Sequence, residues 1–330
     1  MRSFRGCRTL GVAAGAIVLL MSLSPAYAQR TNIVRGRVIN GTFDDRPVAR
    51  VSVQLLRMSK ENPSVVASAK TSRNGEFAFR VQDDGPYLML APYRGVEYTS
   101  GPFRANPSVR AIPDIVVYEP TTDRPTISFP YRIALIDRLG VGVISVQEIV
   151  RVMNPSSRTY LGHEVVPNKQ VTFSLDIPKK AQGVTVLRGM ASPIVAEGRL
   201  MEASPLQPGV RDIMFAYQVR YWGTRAALRW TLEESTGSMD VVAPDQGAMI
   251  TSSLLETKPP GMIRGQRFLR IAGSNLPKGR VVEVALTGLR GYYAPTVRWL
   301  AVLLALILMA TVVASLRTSK ARTVTHRPAG

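Results

Sequence analysis

Apolar and polar residues alternate with a period of two along most of this chain, the pattern of strands that bury one face. Val34-Arg35-Gly36-Arg37-Val38 reads as a short strand followed by an Asn40-Gly41 turn. Ala49, Val51, Val53 and Leu55 then alternate with Arg50, Ser52, Gln54 and Leu56, and residues 65–71 form another strand. An Asn74-Gly75 turn leads into Glu76–Val81, with Phe77 and Phe79 on one face. Residues 87–91 and Val96–Thr99 flank Arg94-Gly95 as a hairpin, and residues 112–118 close the unit. Beyond a Pro- and Thr-containing linker at 120–126, the alternation resumes in Val171, Phe173, Leu175 and Ile177. It is longest in Ile213, Phe215, Tyr217, Val219 and Tyr221, followed by Ala226, Leu228, Trp230 and Leu232. No sustained amphipathic helix interrupts these strands. The expected fold is all-β: two or three extracytoplasmic β-sandwich domains, then one C-terminal transmembrane helix.

That helix is expected over residues 297–316, which hold no Gly or Pro and no charge after Arg298. The run is near the ~20 residues that span a bilayer core. Tyr292, Tyr293 and Trp299 stand on one side of it, and Arg317, Lys320, Arg322 and Arg327 on the other, as aromatic-belt and positive-inside patterns require. At the opposite end Arg2, Arg5 and Arg8 precede an apolar stretch and Pro25-Ala26-Tyr27-Ala28, a signal peptide pattern with cleavage after Ala28. The expected organisation is therefore signal 1–28, sandwich 29–119, linker 120–126, second β-rich domain 127–290 (one Ig-like sandwich or two small ones), span 297–316 and a basic cytoplasmic tail 317–330. This places the protein in a bacterial inner membrane, with the bulk of the chain extracytoplasmic.

Composition changes the picture in two ways. The single cysteine, Cys7, falls in the signal, so the mature chain has no disulfide and depends on hydrophobic burial. The formal net charge is +19, and all 23 acidic residues lie between the signal and the span in a region that is still basic. Such a surface attracts anionic partners: an envelope protein complex, an anionic surface or an acidic polysaccharide. Nucleic acid is not expected in that compartment.

The first sandwich has further motifs. Gly36-x-Val38, Pro47-Val48-Ala49-x-Val51-x-Val53-x-Leu55, Thr71-x-x-Asn74-Gly75-Glu76-Phe77-x-Phe79 and Tyr87-Leu88 together resemble the carboxypeptidase regulatory-like family over residues 33–118. The resemblance implies a prealbumin-like β-sandwich, related to carbohydrate-binding-like folds, that serves as a non-catalytic module. Where that family often has an Asp shortly after the Thr, this chain has Ser72-Arg73, so no ion site follows from it.

Candidate chemistry is sparse, and no catalytic, cofactor or metal residues are assigned. His163 beside Glu164, or with Glu148, is the only base candidate, and no nucleophile is placed by motif. One histidine between signal and span cannot supply the two that a zinc carboxypeptidase site needs. Glu148 falls on the apolar side of Ile144, Val146, Val150 and Val152, where either a bulge or a polar contact between strands is expected. Tyr87, Tyr93 and Tyr98 are candidate carbohydrate-stacking aromatics if their rings face outward. A hairpin turn at Trp222-Gly223-Thr224 would direct Gln218, Arg220, Trp222, Ala227, Arg229 and Thr231 outward. Such a Trp is covered either by the neighbouring domain of the same chain, the commoner fate, or by an external anionic partner. In the second case Arg220, Trp222, Arg225 and Arg229 are a candidate binding patch, since Trp and Arg are enriched at binding hot spots. The expected function is a non-catalytic, membrane-anchored binding or scaffolding protein. A membrane-anchored carbohydrate-binding module is the alternative, and a hydrolytic enzyme the third reading.

Overall fold

The computed structural model describes residues 32–59, 62–81, 85–105, 112, 114–263, 265–292 and 299–311. The signal with its cleavage at Ala28, and the tail 317–330, lie outside the described residues.

The expected all-β architecture is present. The first sandwich pairs Asn32–Asn40 with Glu76–Val81 and Arg46–Pro47 antiparallel and with Ile115–Val117 parallel. Its second sheet runs Ser64–Lys70, Ser52–Arg57, Pro86–Tyr93 and Val96–Thr99, with Phe103–Arg104 also paired to Pro86–Tyr93. Alternation decides the core: Val53 and Leu55, Phe77, Phe79 and Val81, Tyr87, Met89 and Ala91, and Val96 and Tyr98 are all buried together. The Asn74-Gly75 turn requires glycine. Gly75 has φ 74°, and a Cβ there would stand 2.5 Å from the Val38 carbonyl oxygen.

Residues from 127 to 289 share a single buried cluster. One layer is a seven-stranded sheet in the order Ala181–Arg188, Gly209–Arg220, Val143–Asn154, Ser128–Gly140, Thr236–Pro244, Gln266–Leu276, Glu256–Ile263. Two three-stranded sheets contribute the other side of the core. One is Phe173–Asp176, Arg199–Glu202 and Pro193–Ala196, and the other is Gly223–Thr231, Val281–Tyr292 and Met249–Ser252. The Asp176 carboxylate accepts the Thr231 backbone N–H and so joins these two smaller sheets. The edges of the large sheet are blocked against further pairing, by Pro259 and Pro260 on one side and by two register shifts in Ala181–Arg188 on the other.

Two expectations are corrected. The strands around Trp222 do not pair as a hairpin. Gly209–Arg220 lies between Val143–Asn154 and Ala181–Arg188, whereas Gly223–Thr231 pairs with Val281–Tyr292 in another sheet. The chain crosses from one layer to the other at this point, so the inward faces of both strands meet across the core. The expected transmembrane helix over 297–316 is also not supported. Of that run, residues 299–311 are described, and they are helical. Among the described residues no helix is long and apolar enough to cross a membrane.

Candidate functional site

The layer crossing builds a surface hollow of about 570 Å³ lined by Val141, Gly142, Val143, Lys180, Gln218, Arg220, Tyr221 and Trp222. Its geometry follows from the alternation. Tyr221 continues the inward series and is buried, with its backbone N–H donating to the Gly142 carbonyl. Its hydroxyl lies 2.7 Å from the Gly140 carbonyl oxygen and 2.9 Å from that of Arg290, one in each layer. Pinning Tyr221 inward turns Trp222 outward, where it is 55% exposed. Gly223, at φ 66°, then turns the chain into the opposite sheet. Arg220 and Lys180 are exposed on the rim, and among the described residues neither forms an ion pair with a carboxylate.

The outward positions of Gln218, Arg220, Trp222, Ala227, Arg229 and Thr231 agree with the alternation. The expected ring of three arginines does not assemble, however. Arg225 and Arg229 are exposed on the strand leading away from the crossing, outside the hollow, and Arg229 is ion-paired to Glu283 at 2.9 Å. Arg229 stands roughly 20 Å along that strand from Gly223 at ~3.3 Å per residue. Lys180 takes the place expected of them. It precedes the edge strand Ala181–Arg188, and only the pairing of that strand with Gly209–Arg220 brings it to the rim.

The three tyrosines do not form a sugar-stacking face. Tyr87 and Tyr98 are buried, and Tyr87 packs beside Phe103 at 6.1 Å between ring centroids. Tyr98 donates its hydroxyl to the Tyr118 carbonyl at 2.9 Å and lies 2.8 Å from the Thr159 hydroxyl. Tyr93, half-buried under the Arg94 guanidinium, donates to Glu119 Oε1 at 2.7 Å. The hairpin therefore serves the junction between the two sandwiches. There Glu119 also accepts from Asn40 and Arg94, and Thr42 donates to the Ser157 carbonyl.

Burial alone would raise the Glu119 pKa, but hydrogen bonds from Tyr93 and Asn40 and the charges of Arg94 and Arg158 outweigh it. They hold the carboxyl below the ordinary glutamate value of 4.5. A folded pKa depressed in this way stabilises the junction fully above pH 4.5 and loses that contribution as pH falls below it. Glu119→Gln should lower stability at neutral pH by about 1–3 kcal/mol and flatten the acid limb of a urea-midpoint-versus-pH curve. An unchanged acid limb would place the titration elsewhere.

The base candidates are separated. His163 Nδ1 lies 2.9 Å from the Tyr160 hydroxyl, and Glu164 accepts the Asn168 N–H at 3.0 Å. Glu148 is fully buried within the large sandwich, bonded to Arg132 at 2.6 Å, Tyr217 at 2.6 Å and Trp230 at 2.8 Å. Of the two expected readings, bulge or polar contact between strands, it is the polar contact. No group of three or more potential metal ligands gathers among the described residues.

The fold and this hollow define a two-sandwich, all-β protein with a basic, Trp-bearing surface site. No protein-family model matches the chain, and no curated protein matches it. Solved structures do show likeness. An M1 zinc metallopeptidase from Deinococcus radiodurans is 10% identical over 49% of this chain and 42% of its own, with a TM-score of 0.30. The major pilin subunit BcpA* of Bacillus cereus is 12% identical over 77% of this chain and 87% of its own, with a TM-score of 0.22. A DUF3823 family protein from Bacteroides uniformis is 9% identical over 61% and 88%, with a TM-score of 0.21. The chain spans 42% of the metallopeptidase's length. At these identities and TM-scores no function transfers.

Proposed function

We propose that the chain is a non-catalytic binding or scaffolding protein of the bacterial cell envelope, working outside the cytoplasm and gripping an anionic partner at the Trp222 hollow. The observation that carries this reading is Trp222 itself, 55% exposed at the layer crossing where its neighbour Tyr221 is pinned inward. A large aromatic held outward beside two cations, Arg220 and Lys180, combines apolar contact area with charge attraction. The extracytoplasmic part of the proposal rests on the signal pattern ending at Ala28. The first sandwich is read as a carboxypeptidase regulatory-like module, supported by the motifs from Gly36 to Tyr87 and by their inward residues forming its core. A carbohydrate reading through Tyr87, Tyr93 and Tyr98 loses its support, because those side chains are engaged inside the fold.

Trp222→Ala should leave the melting temperature unchanged and weaken binding to an immobilised polyanion such as heparin by about 2 kcal/mol. Arg220→Glu should weaken it further, most visibly at low salt. A lowered melting temperature with unchanged binding would make Trp222 a packing residue and move the site elsewhere.

A further inference from the structure

A second pocket, of about 190 Å³, gathers Arg124, His163, Arg199, Lys278 and Glu233 against Val171 and Phe173. Its cations come from separate parts of the chain. Arg124 belongs to the linker, His163 to His163–Val166, Arg199 to Arg199–Glu202, and Lys278 to the turn before Val281–Tyr292. Two carboxylates anchor them. The buried Glu234 receives Arg124 on Oε1 and Lys278 on Oε2 at 3.2 Å, and Glu233 receives Arg199 at 3.2 Å. Three permanent cations thus face two carboxylates, leaving one positive charge in excess. A guanidinium carries five N–H donors and an ammonium three, so each cation retains donors beyond those these carboxylates take up. His163 Nδ1 is held by the Tyr160 hydroxyl at 2.9 Å. When the Tyr160 hydroxyl is the donor in this pair, the imidazole carries its proton on Nε2, where it serves as a further donor. The apolar wall lowers the local dielectric and strengthens attraction for a negative charge.

We propose that this pocket binds a small carboxylate bearing a short apolar tail, with the carboxylate on Arg199, Lys278 and His163 and the tail against Val165, the exposed apolar residue of the lining, above the buried Val171 and Phe173. The size agrees, since 190 Å³ is the space of about six water molecules at ~30 Å³ each. Inorganic phosphate shares the charge but makes no use of the apolar wall. The proposal is independent of the Trp222 hollow, which lies in a different part of the fold.

The test is isothermal titration calorimetry of the full chain with butyrate and with inorganic phosphate at low ionic strength. Saturable butyrate binding, tighter than phosphate, is the expected result. Lys278→Met and Arg199→Met should each weaken it about tenfold, as loss of a charge-assisted hydrogen bond does. Because these two changes also release Glu234 or Glu233, His163→Ala serves as the variant that breaks no ion pair, and it should weaken butyrate several-fold when measured well below its melting temperature. Absence of saturable butyrate binding, tighter phosphate than butyrate, or unchanged butyrate affinity in His163→Ala would each overturn the assignment.

Discussion

Arg132→Met is expected to cost the second sandwich about 3–5 kcal/mol, read as a shift in urea unfolding followed by tryptophan fluorescence. Arg132 and Glu148 are 1% and 0% exposed, and their 2.6 Å pair sits in the apolar cluster between the layers. Arg132 also donates to the Asp176 carbonyl at 2.8 Å, so it ties the large sheet to a smaller one. Without it, Glu148 keeps neutral donors from Tyr217 and Trp230 but has no counter-charge in a medium that solvates charge poorly. The double variant Arg132→Met with Glu148→Leu should be less damaging than Arg132→Met alone. It removes both charges, and Trp230 can still donate to the Tyr217 oxygen 3.2 Å away. The Tyr217 hydroxyl proton is then the group left without an acceptor, a cost of about 1–3 kcal/mol. A single-variant loss under about 1 kcal/mol, or a double variant worse than the single, would show that the pair is not what holds the layers.

The difference between what alternation can and cannot convey is visible at this same place. A period of two assigns each residue to a face, and it does so correctly for Ile213, Phe215, Tyr217, Val219 and Tyr221 and for Leu228, Trp230 and Leu232, all buried. It does not name the neighbouring strand. Strands that pair within a sheet and strands that face one another across a core can carry the same pattern, so the hairpin at Trp222 was a layer crossing. Glu148 was legible as a polar residue on an apolar face. Its partner was not, because Arg132 reaches it diagonally across a pairing that sets Ala134 opposite Glu148.

The aromatic candidates failed for a reason the pattern did contain. Tyr87 shares its face with Met89 and Ala91, all three buried, so alternation alone would have placed it inside. The hydroxyl of Tyr98 hid its fate, since burial is tolerable once Tyr118 and Thr159 serve it. The pocket of Arg124, Arg199 and Lys278 had no sequence signal, because its parts are brought together only by the sandwich.

Phe77→Ala should destabilise the first sandwich by about 3–5 kcal/mol, the range for truncating a buried aromatic. Phe77 is 5% exposed and packs against Phe79 with ring centroids 5.7 Å apart. It is also the cross-strand partner of Gly36, and a Cβ built on Gly36 would come within 2.7 Å of the Phe77 ring. The ring occupies the space that the missing side chain leaves, a way in which sheets cover a glycine with an aromatic. This geometry fixes the sign of a coupling. Gly36→Ala should destabilise the wild-type chain, because Ala would crowd both the Phe77 ring and Ile112. In the Phe77→Ala background the same change should cost less, since the methyl then meets only Ile112 at 3.2 Å and a strand glycine is replaced by a residue with less conformational freedom to lose. Urea unfolding of the two single variants and the double variant measures this directly as a double-mutant cycle. Additive effects would mean that the ring does not rest on Gly36, and a Phe77→Ala loss under about 1 kcal/mol would mean that this face of the strand is not the core.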